Sequence, residues 1–595
     1  MGNEMLQYQA PLEEFNFLAR KVLRLPELLP LLPEHCHIDI DLFRATLEVG
    51  AELTQEQLLP LNGSGDAEGC RLEKGEVKTP KGFQSAYHLF QENGWPALTV
   101  PLAIGGQGFP GAAGVFFDEM LASSNLSFSI FANVREGVLR CIDRFGDEQV
   151  RSLFSDKLAS GEWLGTMCLT EPQAGSDLGL IRTIAVTQPD DSYLLSGTKI
   201  FISNGDHDLS ENIVHLVLAR TESAPAGTGG LSLFVVPKYQ LDGRNSGNGV
   251  SVIGLEHKHG IRANATCALS FEDAKGYRVG ELNRGLACMF VLMNSARLAV
   301  GVQTVGLAEI AYQNALRYTQ ERFQGRALNG ATHPDQSADP LLSHIGVKSS
   351  LVQQRLFIEP ARLLCAWVGT LLDEARCHPD DLRRNQAFHL AELLTPIVKG
   401  YLSHHAGTHI ASALQLFGGN GYIVEIGMEQ LLRDAAICPI YEGTNYIQSL
   451  DLLGRKTLGD QRQRLGIFLN HIPALAKRLR ERPDLEGVAA ILSAWLVEFE
   501  PLIQQLSVDT VFNRDVVGLV APDFLELLGT VVFGYLWAWI ADAAAPSTSD
   551  EEFLRSKSAL ARLYFSEAEV RVPSLIEKLK RNASRLGLLE QIQLC

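Results

Sequence analysis

One carboxylate in this sequence stands in a segment suited to acid–base chemistry. Residues 439–448 read Pro-Ile-Tyr-Glu-Gly-Thr-Asn-Tyr-Ile-Gln, and Glu442 is the carboxylate. Gly443 permits backbone angles that a side chain forbids and lets a ligand approach. Thr444 or Asn445 can cap the helix that continues through Leu450, Leu453 and Lys456. Glu442 is therefore either a carboxylate that pairs with a helix dipole, or a general base beside free N–H groups that bind a substrate oxygen.

Two further segments offer small residues, hydroxyls and backbone amides. Residues 167–177 read Met-Cys-Leu-Thr-Glu-Pro-Gln-Ala-Gly-Ser-Asp, and residues 197–205 read Gly-Thr-Lys-Ile-Phe-Ile-Ser-Asn-Gly. Such groups suit an uncharged heterocycle rich in donors and acceptors, such as an isoalloxazine ring. A pair of ordinary β-turns is the alternative that the residues alone leave open.

The elements that must position these segments follow from periodicity and length. A chain of 595 residues is too long for one core and indicates several domains. Residues 1–160 show mostly helical periodicity, and residues 161–285 alternate apolar and polar positions as an antiparallel sandwich or barrel does. Residues 286–459 are helical again, and residues 460–595 form a further helical domain. The predicted fold class is α+β, with several domains.

Three helical details follow from the third region. Asn294-Ser295-Ala296-Arg297 is predicted to open a helix that ends near 321–326. A second helix is predicted over 402–416, before the glycine-rich segment 415–421, whose simplest role is a helix C-cap. His405 and His409 have the i, i+4 spacing of a metal pair, but no carboxylate lies between them, so we expect no metal site.

Charge and cysteine content exclude several function classes. The formal net charge of −17 argues against nucleic-acid binding and against adsorption to anionic membranes. The ten cysteines are scattered without a CxxC pair, which is typical of reduced thiols inside a cell. The start of the chain lacks the layout of a signal peptide. The uncharged stretch 527–541 is shorter than the roughly 20 residues of a membrane span, so we expect a buried helix and a cytoplasmic protein without a transmembrane segment.

The segment Ile-Tyr-Glu-Gly-Thr-Asn-x-Ile-Gln resembles the catalytic-base motif of the acyl-CoA dehydrogenases. This resemblance extends over essentially the whole chain. It implies an FAD-dependent α,β-dehydrogenation of an acyl-CoA thioester to the trans-2-enoyl-CoA, with Glu442 as the base and flavin N5 as the hydride acceptor. It further implies electron transfer to an electron-transfer flavoprotein. The fold it implies has a helical N-terminal domain, a small antiparallel β-domain, a four-helix-bundle-like domain and, here, an appended helical domain.

The resemblance also assigns the contacts of the site. In the family, the segments matching 167–177 and 197–205 contact the flavin, and an arginine matching Arg322 reaches its pyrophosphate, often across a dimer interface. We therefore expect a homodimer. The implied FAD contacts are Met167, Leu169, Thr170, Gly175, Ser176, Phe201, Ile202, Ser203, Arg322, Gln415, Gly418, Gly419, Thr444 and Asn445. The implied substrate contacts are Ser176, Asn294, Arg297 and Gly443.

The extra helical domain resembles that of the larger bacterial branch of the family, which includes very-long-chain-like and 3-methylmercaptopropionyl-CoA dehydrogenase-like members. Two other functions stay open. An acyl-CoA oxidase on the same fold would consume oxygen without a mediator. A flavin-bearing binding or stress protein would lack catalysis, but the presence of Glu442 weighs against it.

One segment departs from that branch. Residues 131–137 read Phe-Ala-Asn-Val-Arg-Glu-Gly, where similar dehydrogenases have Tyr-Pro-Gly-Leu-Thr-x-Gly at a helix start beside the acyl chain. Arg135 and Glu136 either face solvent, or pair with each other or with a neighbour, and cap the helix. Alternatively, Arg135 enters the acyl pocket, where an unpaired charge would carry a heavy desolvation cost.

Overall fold

A computed structural model describes residues 6–242, 246–544 and 551–594 of the chain. By its contacts the chain divides into two units. The first comprises Met1–Ala10, Ala45–Ala299 and Val424–Asp434, and the second comprises Pro11–Arg44, Val300–Ile423 and Ala435–Cys595. The first unit holds the β-sheet, and the described residues of the second unit are mainly helical.

Helices make up most of the described residues, in agreement with the predicted fold class. The α-helices are α1 (Leu12–Phe17), α2 (Leu25–Leu28), α3 (Ile40–Leu53), α4 (Pro60–Glu68), α5 (Phe83–Glu92), α6 (Gly111–Phe145), α7 (Glu148–Ala159), α8 (Gly285–Glu321), α9 (Ile345–Cys377), α10 (Asp381–Pro396), α11 (Leu402–Leu416), α12 (Met428–Ala435), α13 (Asn445–Leu450), α14 (Gln463–Leu469), α15 (His471–Arg480), α16 (Glu486–Phe512), α17 (Asp515–Ala543), α18 (Glu551–Lys580) and α19 (Asn582–Glu590). Short π-helical segments over Ile397–Tyr401 and Asp451–Leu458 extend α11 and α13.

The strands form one small hairpin and one larger sheet. They are β1 (Arg71–Glu73), β2 (Glu76–Lys78), β3 (Trp163–Cys168), β4 (Ile184–Thr187), β5 (Tyr193–Ser203), β6 (Asn212–Thr221), β7 (Leu231–Pro237), β8 (Val250–Leu255) and β9 (Thr266–Val279). The larger sheet has the order β3-β6-β4-β5-β9-β7, with β8 beside β9. Because β7 pairs with both β9 and β6, the sheet closes on itself as a barrel does.

The pairing is largely antiparallel, as predicted, with two exceptions. β3 and β4 both run parallel to β6, so the sheet is mixed. Parallel neighbours need a long connection, and the chain supplies one between each of these strands and β6. The alternation of apolar and polar residues could not reveal this parallel pairing. It indicates which face of the sheet a residue occupies and not the direction of the neighbouring strand.

The core of the first unit lies on both faces of β6. Leu216 and Leu218 pack in one apolar cluster together with Val138 of α6 and Phe154 of α7. The alternate residues of β6 pack in a second cluster with residues of β5, β7 and β9. A strand buried on both faces has a nearly continuous apolar sequence, which accounts for the run Ile-Val-His-Leu-Val-Leu-Ala at 213–219.

One predicted helix start is wrong. α8 begins at Gly285, so Asn294 and Arg297 lie well inside it and do not open it. The residues from 286 to 293 are apolar good helix formers without a polar face, and they therefore gave no period from which to place a start. The predicted end near 321 is confirmed by the last residue of α8, Glu321, and the helix predicted over 402–416 is confirmed by α11.

Two helices, α8 and α17, are long and apolar enough to cross a membrane by length and composition. In their most apolar 18-residue windows, 44% and 67% of the residues are buried inside the protein. The stretch 527–541 lies within α17 and is almost wholly buried, as predicted for a core helix. The absence of a membrane span stays a prediction.

The second unit brings together helices that are distant in the sequence. α1 packs against α18, with the Phe17 and Phe553 rings edge to face at 5.6 Å between centroids. The buried Lys557 ammonium contacts the carboxylates of Glu14 and Glu359, the latter at 2.9 Å. The contacts between α1 and α18 join helices that lie more than 500 residues apart in the sequence.

Candidate active site

The segment that carries Glu442 has an unusual backbone. Glu442 and Gly443 both adopt left-handed conformations, with φ of 57° and 85°. α13 begins two residues later, and the hydroxyl of Thr444 accepts a hydrogen bond from the Ile447 N–H at 3.3 Å. The predicted N-cap is therefore confirmed at Thr444. Left-handed angles at a non-glycine residue are costly and cluster at functional sites.

Side-chain amides hold this segment in place. The buried Gln448 Nε2 donates to the backbone oxygens of Glu442 and Gly443, at 3.2 and 3.3 Å. The Asn445 Oδ1 accepts hydrogen bonds from Lys399 Nζ and Ser403 Oγ, both at 3.0 Å. The side-chain oxygen of Asn445, predicted to contact the flavin, is thus already used within the second unit.

The two segments predicted to contact the flavin are brought together in the first unit. The Ile200 N–H donates to the Thr170 oxygen at 2.9 Å, which places 167–170 beside 199–203. Leu169 is buried, Met167 and Thr170 are half-buried, and Gly175 and Ser176 are exposed. The end of β3 therefore presents an uncharged, partly open edge.

A buried ion pair joins these two segments, and the sequence analysis missed it. Lys199 Nζ lies 2.9 Å from Glu171 Oε1, and it also donates to the Leu169 and Leu218 oxygens at 3.0 and 2.8 Å. Burial acts to raise the pKa of the Glu171 carboxyl, but the Lys199 ammonium and hydrogen bonds from Thr183 and the Arg182 N–H lower it to about 2. A lysine directly before the apolar run Ile200-Phe201-Ile202 of a strand was the signal that could have revealed the pair.

Phe201 presents a flat ring at the same edge. It has a φ of 58° and is 60% exposed, where the register between β5 and β9 shifts. Its neighbour Ile202 is buried and Ser203 is half-buried. Both the exposure of the aromatic ring and the left-handed backbone are energetically unfavourable. The exposed ring offers a surface on which a planar ring can pack.

The remaining predicted FAD contacts lie in the second unit. Arg322 directly follows α8 and is half-buried, and no carboxylate pairs with it among the described residues. The stacked rings of Tyr318 and Phe417, with centroids 4.3 Å apart, bring the end of α8 to the glycine-rich segment. Gln415, Gly418 and Gly419 are exposed there. Gly418 has a φ of 57° after α11, as predicted for a C-cap.

The two polar residues predicted to contact the substrate from α8 lie one turn apart. Arg297 is buried, and its Nη1 donates to Asn294 Oδ1 at 3.3 Å. This contact orients the guanidinium along the helix.

The first interpretation of Arg135 is wrong in part, and the second, entry into the acyl pocket, stays a prediction. Arg135 is 2% exposed in the middle of α6, so it neither faces solvent nor caps a helix. Its guanidinium donates to the backbone oxygens of Leu158 and Pro96, at the ends of α7 and of a short 3-10 turn. Free carbonyls at helix ends carry partial negative charge, which accounts for a buried cation there. Glu136 pairs with Arg140, as the first interpretation proposed.

The histidines with metal-pair spacing take part in packing. His405 Nε2 lies 2.9 Å from Glu526 Oε2, and the His409 ring stacks on Phe357 with 4.6 Å between centroids. Glu34, His35 and Cys377 also offer clustered ligand atoms. Arg376 contacts Glu34 and His35 there, and its cation occupies the polar groups that a metal would need.

The comparisons with known proteins extend over all of the predicted site residues. Family models match as "Acyl-CoA dehydrogenase, N-terminal domain" over 54–162, "middle domain" over 166–274 and "C-terminal domain" over 283–457. A further model, "Acetyl-CoA dehydrogenase C-terminal like", matches 468–587. The 3-methylmercaptopropionyl-CoA dehydrogenase of Ruegeria pomeroyi is 40% identical over 577 residues, which cover 95% of this chain and 96% of that protein.

The chain belongs to the acyl-CoA dehydrogenase family. It is thus an oxidoreductase that dehydrogenates an acyl-CoA. The broad-specificity linear acyl-CoA dehydrogenase FadE5 of Mycobacterium tuberculosis is 33% identical over 89% of this chain and 90% of that protein. Among solved structures, Caenorhabditis elegans ACDH-11 in complex with C11-CoA has a TM-score of 0.78 at 20% identity, with coverage of 95% and 92%. A Bacillus anthracis acyl-CoA dehydrogenase complexed with FAD has a TM-score of 0.74 at 19% identity, with coverage of 93% and 90%.

Proposed function

We propose that this protein is an FAD-dependent acyl-CoA dehydrogenase in which Glu442 is the catalytic base. The observation that carries the proposal is the backbone of the base segment. Glu442 stands on a left-handed backbone two residues before the N-cap Thr444, in a segment that resembles the family's base motif. The cost of that conformation makes sense where a carboxylate must be aimed at one atom.

The reaction removes two hydrogens from the acyl group. The Glu442 carboxylate takes the proton from the α-carbon, and the electron pair of that C–H bond becomes part of the new double bond. The Glu442 N–H donates to the thioester oxygen, which becomes more negative as the proton leaves. Bound FAD supplies the acceptor for the hydride that leaves the β-carbon.

The residues present fit such a cofactor. The exposed Phe201 ring and the uncharged edge formed by Met167, Leu169 and Thr170 suit an isoalloxazine ring, and Gly175 leaves open space where a Cβ would meet nothing within 4 Å. Arg322 suits a pyrophosphate because its guanidinium, which pairs with no carboxylate in the described part of the chain, can bind phosphate oxygens. Gly418 and Gly419, with no side chain, add backbone amides beside it. The full set of residues that would hold FAD is the one implied by the family resemblance. It also includes Ser176, Ile202, Ser203, Gln415, Thr444 and Asn445.

The partners and location follow from the same family resemblance. We propose an electron-transfer flavoprotein as the electron acceptor, a homodimer as the assembly and the bacterial cytoplasm as the compartment. We further propose domain boundaries at 160, 285 and 459. Relatives named for 3-methylmercaptopropionyl-CoA, butyryl-CoA and linear acyl-CoA substrates supply the thioesters to test first.

The deciding experiment measures flavin reduction by a panel of CoA thioesters in wild type and Glu442→Gln. We expect the purified protein to carry FAD and at least one thioester to bleach it. We expect the substitution to slow bleaching by roughly 10²- to 10⁴-fold with FAD retained, because an amide cannot accept the proton. Glu577→Gln, at an exposed residue of α18, is the control and keeps the wild-type rate.

A wild-type rate in Glu442→Gln would assign the base to another residue. Oxygen consumption at turnover without a mediator would instead make the protein an oxidase. Flavin retained with no bleaching by any thioester would favour a binding protein without catalysis.

A further inference from the structure

The left-handed pair Glu442–Gly443 needs a restraint, because its angles are unfavourable for a glutamate. Only glycine adopts positive φ without a steric penalty, so Gly443 accounts for its own angle but Glu442 does not. Thr444 caps α13 after the pair and leaves the two preceding carbonyls to other partners. The restraint must therefore act on the backbone of Glu442 itself.

Gln448 supplies that restraint. Its side-chain nitrogen donates to both carbonyls of the pair, at 3.2 Å to Glu442 and 3.3 Å to Gly443. An amide has two N–H donors on one nitrogen, so a single group can satisfy two successive carbonyls. The residue is fully buried, and the low surrounding polarity strengthens both bonds.

Glycines on two sides make room for this side chain. A Cβ at Gly443 would lie 2.9 Å from Gln448 Nε2, and a Cβ at Gly400 would lie 3.1 Å from Gln448 Cβ. Gly400 belongs to the π-helical segment Ile397–Tyr401, which also contributes Lys399 to Asn445. Such π-helical insertions occur frequently at functional sites. The two glycines thus leave room for a long amide side chain at position 448, directly beside the base segment.

We propose that Gln448 is a positioning residue for the base: its amide holds the Glu442 backbone in the left-handed conformation that aims the carboxylate. The inference rests on the proposed role of Glu442. Gln448 acts only through the backbone of residues 442 and 443, so its loss should slow proton abstraction and leave the binding of FAD and thioester largely unchanged.

The chain offers a matched control. Gln354 of α9 is also a fully buried glutamine of the second unit, with its Nε2 donating to the Ser350 oxygen at 3.3 Å. Gln448→Met and Gln354→Met remove the same chemistry from similar surroundings, since methionine keeps the length and volume of glutamine. A purely structural role predicts equal effects of the two substitutions.

The experiment compares wild type and both variants as FAD-loaded full-length proteins in two assays. The first is the rate of flavin reduction at saturating thioester, together with the thioester concentration that gives half that rate. The second is amide hydrogen exchange of the peptides covering 440–447, which needs no turnover. For Gln448→Met we expect a rate about ten- to a hundred-fold lower, a half-saturating concentration within about three-fold of wild type and faster exchange at 442–444. For Gln354→Met we expect wild-type values in both assays.

Equal rates and equal exchange in Gln448→Met and wild type would overturn the proposal, as would equal losses in the two variants. If Gln448→Met does not fold, Gln448→Leu removes the same amide donor with another apolar side chain, and an unchanged rate in that variant overturns the proposal as well. Exchange at 442–444 that is faster in Gln448→Met supports the positioning role even if a different residue proves to be the base, so failure of the proposed function is seen separately in Glu442→Gln.

Discussion

Two buried lysines show how differently two predicted site segments, one in each unit, are held in place. Lys199, in a segment of the first unit that is proposed to contact the flavin, meets the Glu171 carboxylate at 2.9 Å. Lys399, beside the base segment of the second unit, donates to the neutral amide oxygen of Asn445 at 3.0 Å. Both side chains are 0% exposed. Residue type and burial are the same, and the partner differs.

The difference follows from what each region has to do. The segments proposed to contact the flavin do not change their charge in the proposed reaction, so a buried ion pair can hold them. In that reaction the Glu442 carboxylate gains a proton, and a charged partner placed on its backbone would alter its proton affinity. The Gln448 amide holds the two carbonyls of residues 442 and 443 and brings no charge of its own. A neutral amide can therefore position the proposed base without itself changing the acidity of the base.

The largest effect is expected when the buried ion pair of Lys199 and Glu171 is broken. Lys199→Met leaves Glu171 buried without its cation, and we expect the free energy of unfolding to fall by about 3–5 kcal/mol. The urea midpoint of the unit that contains the sheet measures it. Lys275→Met removes an exposed pair with Asp190, which solvent screens, and should leave the urea midpoint nearly unchanged. Equal costs for the two substitutions would mean that burial of the first pair contributes nothing.

A smaller effect comes from a buried carboxylate that has no ion pair among the described residues. Burial raises the pKa of Asp434 to about 7, although the Ile261 N–H donates to it at 2.5 Å. A raised pKa in the folded state means that its contribution to stability is complete below about pH 4 and is lost as the pH rises through 7. Asp434→Asn cannot ionise, so we expect it to remove this decline and to be more stable than wild type at pH 8 by roughly 2–4 kcal/mol.

Urea midpoints between pH 4 and 8 check this prediction. Asp41→Asn, at an exposed residue paired with Arg20, is the control and should follow the wild-type pH dependence. A wild-type pH dependence in Asp434→Asn would show that this carboxyl ionises normally.

The smallest effect is expected in the base segment, whose backbone is held in place by uncharged side chains. Thr444→Ala removes the N-cap of α13, and we expect a loss of about 1 kcal/mol of stability, with Thr444→Ser restoring most of it. Thermal unfolding measures the loss, and FAD content is recorded alongside because Thr444 is also proposed to contact the cofactor. A loss in Thr444→Ala that serine does not restore would mean that the methyl group and not the hydroxyl is required.

Sequence-based prediction succeeded where a pattern reports a local preference. The cap at Thr444, the turn at Gly418 and the bounds of α11 each follow from residue types within a few positions. It failed where the partner lies far along the chain. The start of α8 was misplaced because an apolar run carries no boundary, and Arg135 was misjudged because the carbonyls that bind it belong to α7 and to a turn before α6.

The supports of the site show the same limit. Glu171 and Lys199 are separated by 28 residues, and Lys399 and Asn445 by 46. No local pattern joins them, although a lysine directly before an apolar run of a strand was a sign that a buried partner exists. Gln448 is closer to its target, yet only the left-handed angles of Glu442 show why a glutamine is needed there.

The pairing of α1 with α18 has a consequence for the synthesis of the chain. Glu14 and Lys557 are 543 residues apart. At the usual pace of about 5–20 residues per second, the first helix leaves the ribosome roughly half a minute to two minutes before its partner exists. During that interval the Phe17 ring lacks its contact with Phe553. Completion of the second unit is therefore timed by the translation of α18.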